Sequence, residues 1–128
     1  MRTSVIKRTL LLTLMQATSS AWAEWVQVSQ TENSYIYIDP EAIRKEGNLR
    51  KVWLLQDLKQ RSKEGVMSRR MRFEYDCNQE RYRFMSISTH SAPMASGSLL
   101  TQSANGSPWV DIAPGTSSET LLKTVCAQ

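Results

Sequence analysis

The segment from Arg69 to Met85 limits the folds open to this chain more than any other. It reads Arg-Arg-Met-Arg-Phe-Glu-Tyr-Asp-Cys-Asn-Gln-Glu-Arg-Tyr-Arg-Phe-Met, with charged and aromatic residues alternating on both sides of Asn78-Gln79. A period of two marks a strand with one buried and one solvated face. A two-residue turn at Asn78-Gln79 sets Asp76 opposite Arg81, Glu74 opposite Arg83, Tyr75 opposite Tyr82 and Phe73 opposite Phe84. Acids then meet bases, and rings meet rings. A slip of one residue destroys both matches at once, so the register is a sharp expectation. The ring-bearing face, which also carries Cys77, is assigned to the core. The other face receives Arg70, Arg72, Glu74, Asp76, Arg81, Arg83, Met85 and Ile87.

Short alternating runs between turn residues continue this pattern. Strands are expected at 25–29, 35–38, 49–58, 66–77, 80–89 and 109–112, with a weaker one at 98–101. Asp39-Pro40 is read as the cap and first position of one helical turn, and Gly47-Asn48 as a chain reversal. The polar stretch 86–107 is expected to be a long surface loop. Near the end, Thr116 and Glu119 stand at capping-box spacing ahead of Leu121, Leu122 and Val125, which share one helical face. The fold class that follows is α+β: a single antiparallel sheet of about six strands, with a C-terminal helix packed on one face.

Residues 1–23 read as a secretory leader, with a basic start at Arg2, Lys7 and Arg8, an apolar run from Leu10 to Met15 and a small-x-small site at Ala21-Trp22-Ala23. Cleavage is expected between Ala23 and Glu24, leaving one domain, 24–128, in the periplasm or outside the cell. The apolar run is too short for a transmembrane anchor, and no cysteine lies near the cut to take a lipid. The sixteen basic residues against twelve acidic ones give a net charge of +4, but three of the bases leave with the leader. The remaining near-neutral balance makes no field that would draw a polyanion from a distance. Cys77 and Cys126, an even pair in an exported domain, are expected to form a disulfide that pins the helix to the sheet. With no C-x-x-C and a single histidine, neither a metal site nor any cofactor is implied.

Across the mature chain, the run Lys51 to Asp57, then Ser68, Phe73-Glu74-Tyr75-Asp76-Cys77, Arg81 and Arg83, Pro93 to Gly97, Trp109, Pro114-Gly115-Thr116 and the final Val125-Cys126 resemble the surface-adhesin protein E family of bacterial exported proteins. The resemblance implies a small antiparallel sheet with a helix tied to it by a disulfide. For the family's naming member it also implies attachment to host extracellular proteins.

Enzyme chemistry finds little support in the residues. His90 is the only general-base histidine, with Ser86, Ser88, Ser91, Ser96 and Ser98 nearby, but there is no G-x-S-x-G elbow; a hydrolase around His90 is the third-ranked reading. Glu74 and Asp76 each face an arginine, which keeps them ionised and unsuited to proton donation. Asp39 and Glu41 lack partners for a metal. The arginines among Tyr82 and Phe84 suggest a nucleic-acid platform only superficially, because rings and arginines leave the hairpin on opposite sides. Two binding features remain. Arg69 and Arg70, without acids opposite, are candidates for an anionic glycan or protein. Trp25, Tyr35, Tyr37 and Trp53 are expected on the outer sheet face, as a binding surface for protein or ligand or as the seam of a homodimer. The reading that follows is an exported, non-enzymatic interaction domain of the bacterial envelope, with a secreted adhesin contacting host extracellular-matrix proteins as the alternative.

Overall fold

The computed structural model describes residues 23–128; the expected leader, apart from Ala23, lies outside them. The strands are β1 (Val26–Gln30), β2 (Ser34–Ile38), β3 (Arg44–Glu46), β4 (Leu49–Leu58), β5 (Ser68–Asp76), β6 (Arg81–Ala92), β7 (Ser96–Ser103) and β8 (Val110–Asp111), followed by the helix α1 (Ser117–Cys126). All join one antiparallel sheet of main order β1-β2-β4-β5-β6-β7, with β3 beside β4 and β8 beside β6. The α+β expectation holds, with six strands on the main path and a disulfide joining Cys77 to Cys126.

The β5–β6 hairpin takes the expected register from Asp76–Arg81 through Phe73–Phe84. Arg81 Nε donates to Asp76 Oδ2 at 3.1 Å, and Arg83 Nε to Glu74 Oε1 at 2.7 Å. Its connection is wider than a two-residue turn. The Asn78 and Gln79 amides donate to Asp76 Oδ1 at 3.1 and 3.0 Å, closing a loop over 77–80 without disturbing the pairing. Past Phe84, Met85 is an extra residue in β6 and the register moves by one. Such a bulge reverses the faces beyond it. Ile87 therefore pairs with Met71 on the ring-bearing side, instead of joining the arginines as the alternation suggested.

The ring-bearing face is the core. Phe73 meets Tyr82 and Phe84 edge-on at 5.8 and 5.6 Å between centroids. Thr116 caps the helix as expected, the Glu119 amide donating to its Oγ1 at 3.3 Å, while the Glu119 carboxylate accepts from Lys123 Nζ in place of the reciprocal capping-box bond. Leu122 and Val125 of α1 are buried against Ile38, Val52 and Tyr75. Burial of apolar side chains at roughly 1.5–3 kcal/mol each makes this contact the main force seating the helix. Val26 stands opposite Ile38 but at the sheet's edge, and is 47% exposed.

The stretch 86–107 is mostly strand, against the expectation of a loop. The helix packs on β1, β4 and β5, and β7, at the far end of the sheet, is exposed along nearly its whole length. No apolar alternation is demanded there, and hydroxyls carry the pairing instead: Thr89 and Thr101 Oγ1 atoms lie 2.6 Å apart. The tip between β6 and β7 places Met94 and Ala95 at φ +59° and +57°, a costly conformation for residues with a Cβ. It is held from beneath. Asp57 Oδ1 accepts from the Met94 amide at 3.0 Å, while the fully buried Ser68 hydroxyl accepts from Ala95 N at 2.9 Å and donates to Ala92 O at 2.7 Å. Two further differences are small. Pro40–Ala42 forms a single 3-10 turn without a side-chain cap from Asp39, and β3 was not anticipated because its three residues are all charged and exposed.

Candidate functional site

Side chains of a strand alternate between faces, so the register identifies what stands on the side away from the helix. One row runs Gln27, Tyr37, Leu55, Arg70, Ser88 and Gln102 across five neighbouring pairings. The next holds Trp53, Arg72 and Ser86, and another Tyr35, Asp57, Ser68, His90 and Leu99. This outer face is neither bare nor deeply covered. Leu55 is fully buried within it, whereas Tyr35, Tyr37, Trp53, Arg70 and Arg72 are all half-buried.

Two arginine pairs on this face each stack on a tryptophan. Arg81 and Arg83 lie 4.5 and 4.8 Å from the Trp109 ring centroid, and Arg70 and Arg72 lie 4.0 and 5.1 Å from that of Trp53. Guanidinium planes are well suited to such stacking, which leaves their N–H edges free to hydrogen-bond. The pairs differ in their charge balance. Arg81 and Arg83 are neutralised by the buried carboxylates of Asp76 and Glu74. Arg70 and Arg72 have no ion-pair partner among the described residues, and serines stand opposite both: Ser88 across from Arg70, Ser86 across from Arg72. Trp53 with its two arginines is therefore an uncompensated cationic station on this face, and the one built on a tryptophan among the described residues.

The expected binding residues are only partly brought together. Trp25, Trp53 and Arg70 line one hollow of about 410 Å³. Tyr35 and Tyr37 share that face one strand further out, with Lys59 Nζ 4.9 Å from the Tyr35 ring. Arg69 does not join them. As Arg70's neighbour on β5 it points to the helix side, opposite Gln56, whose Oε1 accepts from its Nη1 at 3.2 Å. The residue that completes the cluster is Arg72, expected on the outer face but not as a binding residue, although it too lacks an opposing acid. Its signal was the i, i+2 spacing from Arg70. Trp109 was missed as well, because its place over Arg81 and Arg83 depends on β8 pairing with β6 across a long connection.

Of the serines near His90, Ser88 makes the contact, Oγ to Nε2 at 2.9 Å. Burial, and then the charge of Arg70, hold the His90 imidazole below its usual pKa. On the opposite face, burial pushes the Tyr75 hydroxyl up. Among the described residues no helix is long and apolar enough to cross a membrane.

Comparison with known proteins agrees with this architecture. Residues 25–127 match the family described as surface-adhesin protein E. Among solved structures, crystal form II of Haemophilus influenzae protein E superposes with a TM-score of 0.67 at 14% identity, covering 83% of this chain and 89% of that one. Its selenomethionine form gives 0.66 at 13% identity, over 83% and 88% of the two chains. Protein E from non-typeable Haemophilus influenzae gives 0.58 at 14%, over 85% and 79%. At these identities the likeness is one of fold. No curated protein matches the chain by sequence.

Proposed function

This chain belongs to the surface-adhesin protein E family, and from that premise we propose that it is an exported, non-enzymatic interaction domain that holds its partner on the outer sheet face, around Trp53, Arg70 and Arg72. The observation that carries the reading is the contrast between the two stacked arginine pairs. Buried carboxylates compensate one pair, while the other has no ion-pair partner among the described residues. The family supports attachment as the role. The hydrogen bond of Ser88 to His90 is read as part of the polar surface beside Arg70, since both residues lie on one face of a single strand.

The test is a pull-down from the cell's own envelope extract with the exported, oxidised protein, repeated with an Arg70→Gln, Arg72→Gln variant. Loss of a captured partner in the variant, with thermal stability retained, supports the outer face. An unchanged set of partners removes it. Cell fractionation then separates the two settings: a protein confined to the periplasm acts within the envelope, and one found outside acts as a secreted adhesin. N-terminal sequencing of the same material checks cleavage after Ala23.

A further inference from the structure

The hollow beside the uncompensated arginines has a mixed chemistry. Trp25, Trp53 and Arg70 line it together with three acidic residues, Glu24, Asp39 and Glu41. Arg72 adjoins it, stacked on the same indole as Arg70. Along the neighbouring strand run the hydroxyls of Ser86 and Ser88, each opposite one of these arginines.

We propose that this site binds an acidic polysaccharide of low charge density, with a sugar carboxylate on the guanidinium groups of Arg70 and Arg72 and the sugar ring against Trp25, while Trp53 serves as the platform on which the arginines rest. The proposal rests on the outer-face reading above and names the chemistry of its ligand. Planar guanidinium forks match a carboxylate in bidentate geometry. The flat indole face of Trp25 accepts the apolar C–H side of a pyranose ring, and the carboxylates of Glu24, Asp39 and Glu41 accept hydrogen bonds from its hydroxyls. The same three acids repel a dense polyanion, so one charge every sugar or two fits the site better than a run of charges. An extended acidic peptide fits less well, because Arg70 and Arg72 stand on β5 in the middle of the sheet, where both strand edges are already paired and its backbone amides would go unsatisfied. A sugar chain has no such backbone to satisfy.

Isothermal titration of the exported, oxidised protein with four polymers tests this. Hyaluronate carries one carboxylate per disaccharide, heparin several sulfates and a carboxylate, dextran no charge, and poly-L-glutamate a carboxylate on a peptide backbone. Hyaluronate is expected to bind, and the Arg70→Gln, Arg72→Gln variant to bind it about tenfold or more weakly, as loss of charge-assisted hydrogen bonds requires. Arg72 makes no hydrogen bond through its buried Nε, so the variant removes none there; its melting temperature verifies that the fold survives. Arg70→Lys, which keeps the charge and loses the fork, is expected to weaken binding as well. Equal binding of dextran, tighter binding of heparin or poly-L-glutamate, or an unaffected double variant each overturns the proposal. If hyaluronate fails to bind while the double variant still loses its captured partner, the sugar assignment falls and the outer-face reading stands.

Discussion

At the scale of single residues, Asp76 shows how the hairpin converts a sequence alternation into stability. The Gln79 amide, the Arg81 guanidinium and the Asn78 amide all favour its ionised form, and together they outweigh the cost of burial, so its pKa lies below the ordinary carboxylate value. A folded pKa below the unfolded one means that protons bind the unfolded chain more readily. The stabilisation is therefore complete above the unfolded value and is lost as pH falls through the folded one. Asp76→Asn keeps an oxygen for the two amides but removes the charge, and it is expected to cost about 1–3 kcal/mol near neutrality. Urea unfolding from about pH 7 down to about pH 2 checks the sign: the gap between wild type and variant should close on the acid side. A gap independent of pH would mean that the carboxylate's charge contributes nothing.

At the scale of elements, what could be read from the residues and what could not divide by sequence distance. The β5–β6 register was legible because every determinant, from Phe73 to Phe84, lies within one hairpin and each charge has its partner in view. The Met85 bulge was not, since no glycine or turn residue marks it, and it moved Ile87 to the other face. The Trp53 station depends on β4 pairing with β5 across the connection 59–67, whose length alone sets no register. Arg72 was therefore counted merely as one of several outer-face charges. β7 showed only as the weaker strand at 98–101, shorter than the Ser96–Ser103 it occupies, because an exposed strand carries little apolar period. Its attachment is nonetheless specific, and Gly97 tests it. At φ +74°, a Cβ there would sit 2.5 Å from Ser91 Oγ and 2.8 Å from Ala92 Cβ, whereas at Gly115, φ +77°, nothing lies within 4 Å. Gly115→Ala should cost only the backbone term, about 1–2 kcal/mol. Gly97→Ala should cost more than Gly115→Ala in urea unfolding. Equal losses would show that the β6–β7 tip yields freely.

At the scale of the whole molecule, the fold is a single sheet with a ten-residue helix on part of one side. A helix that short is marginal in water, and it is seated only through a few apolar side chains such as Leu122 and Val125. The Cys77–Cys126 bond closes a separation of 49 residues, for which chain entropy gives about 4 kcal/mol of stabilisation. The bond joins the end of α1 to the β5–β6 loop, so it acts on the helix side. Trp53, Arg70 and Arg72 lie on the other. Replacing both cysteines by serine is accordingly expected to lower stability by about 2–5 kcal/mol. In hydrogen exchange, amide protection should be lost first across α1 and later in β4, β5 and β6. At temperatures where the variant's sheet persists, the Arg70–Trp53 face should bind its ligand as the oxidised protein does. If removing the bond abolished binding while the sheet amides stayed protected, the two faces would be coupled, and the binding site would have to include the helix side.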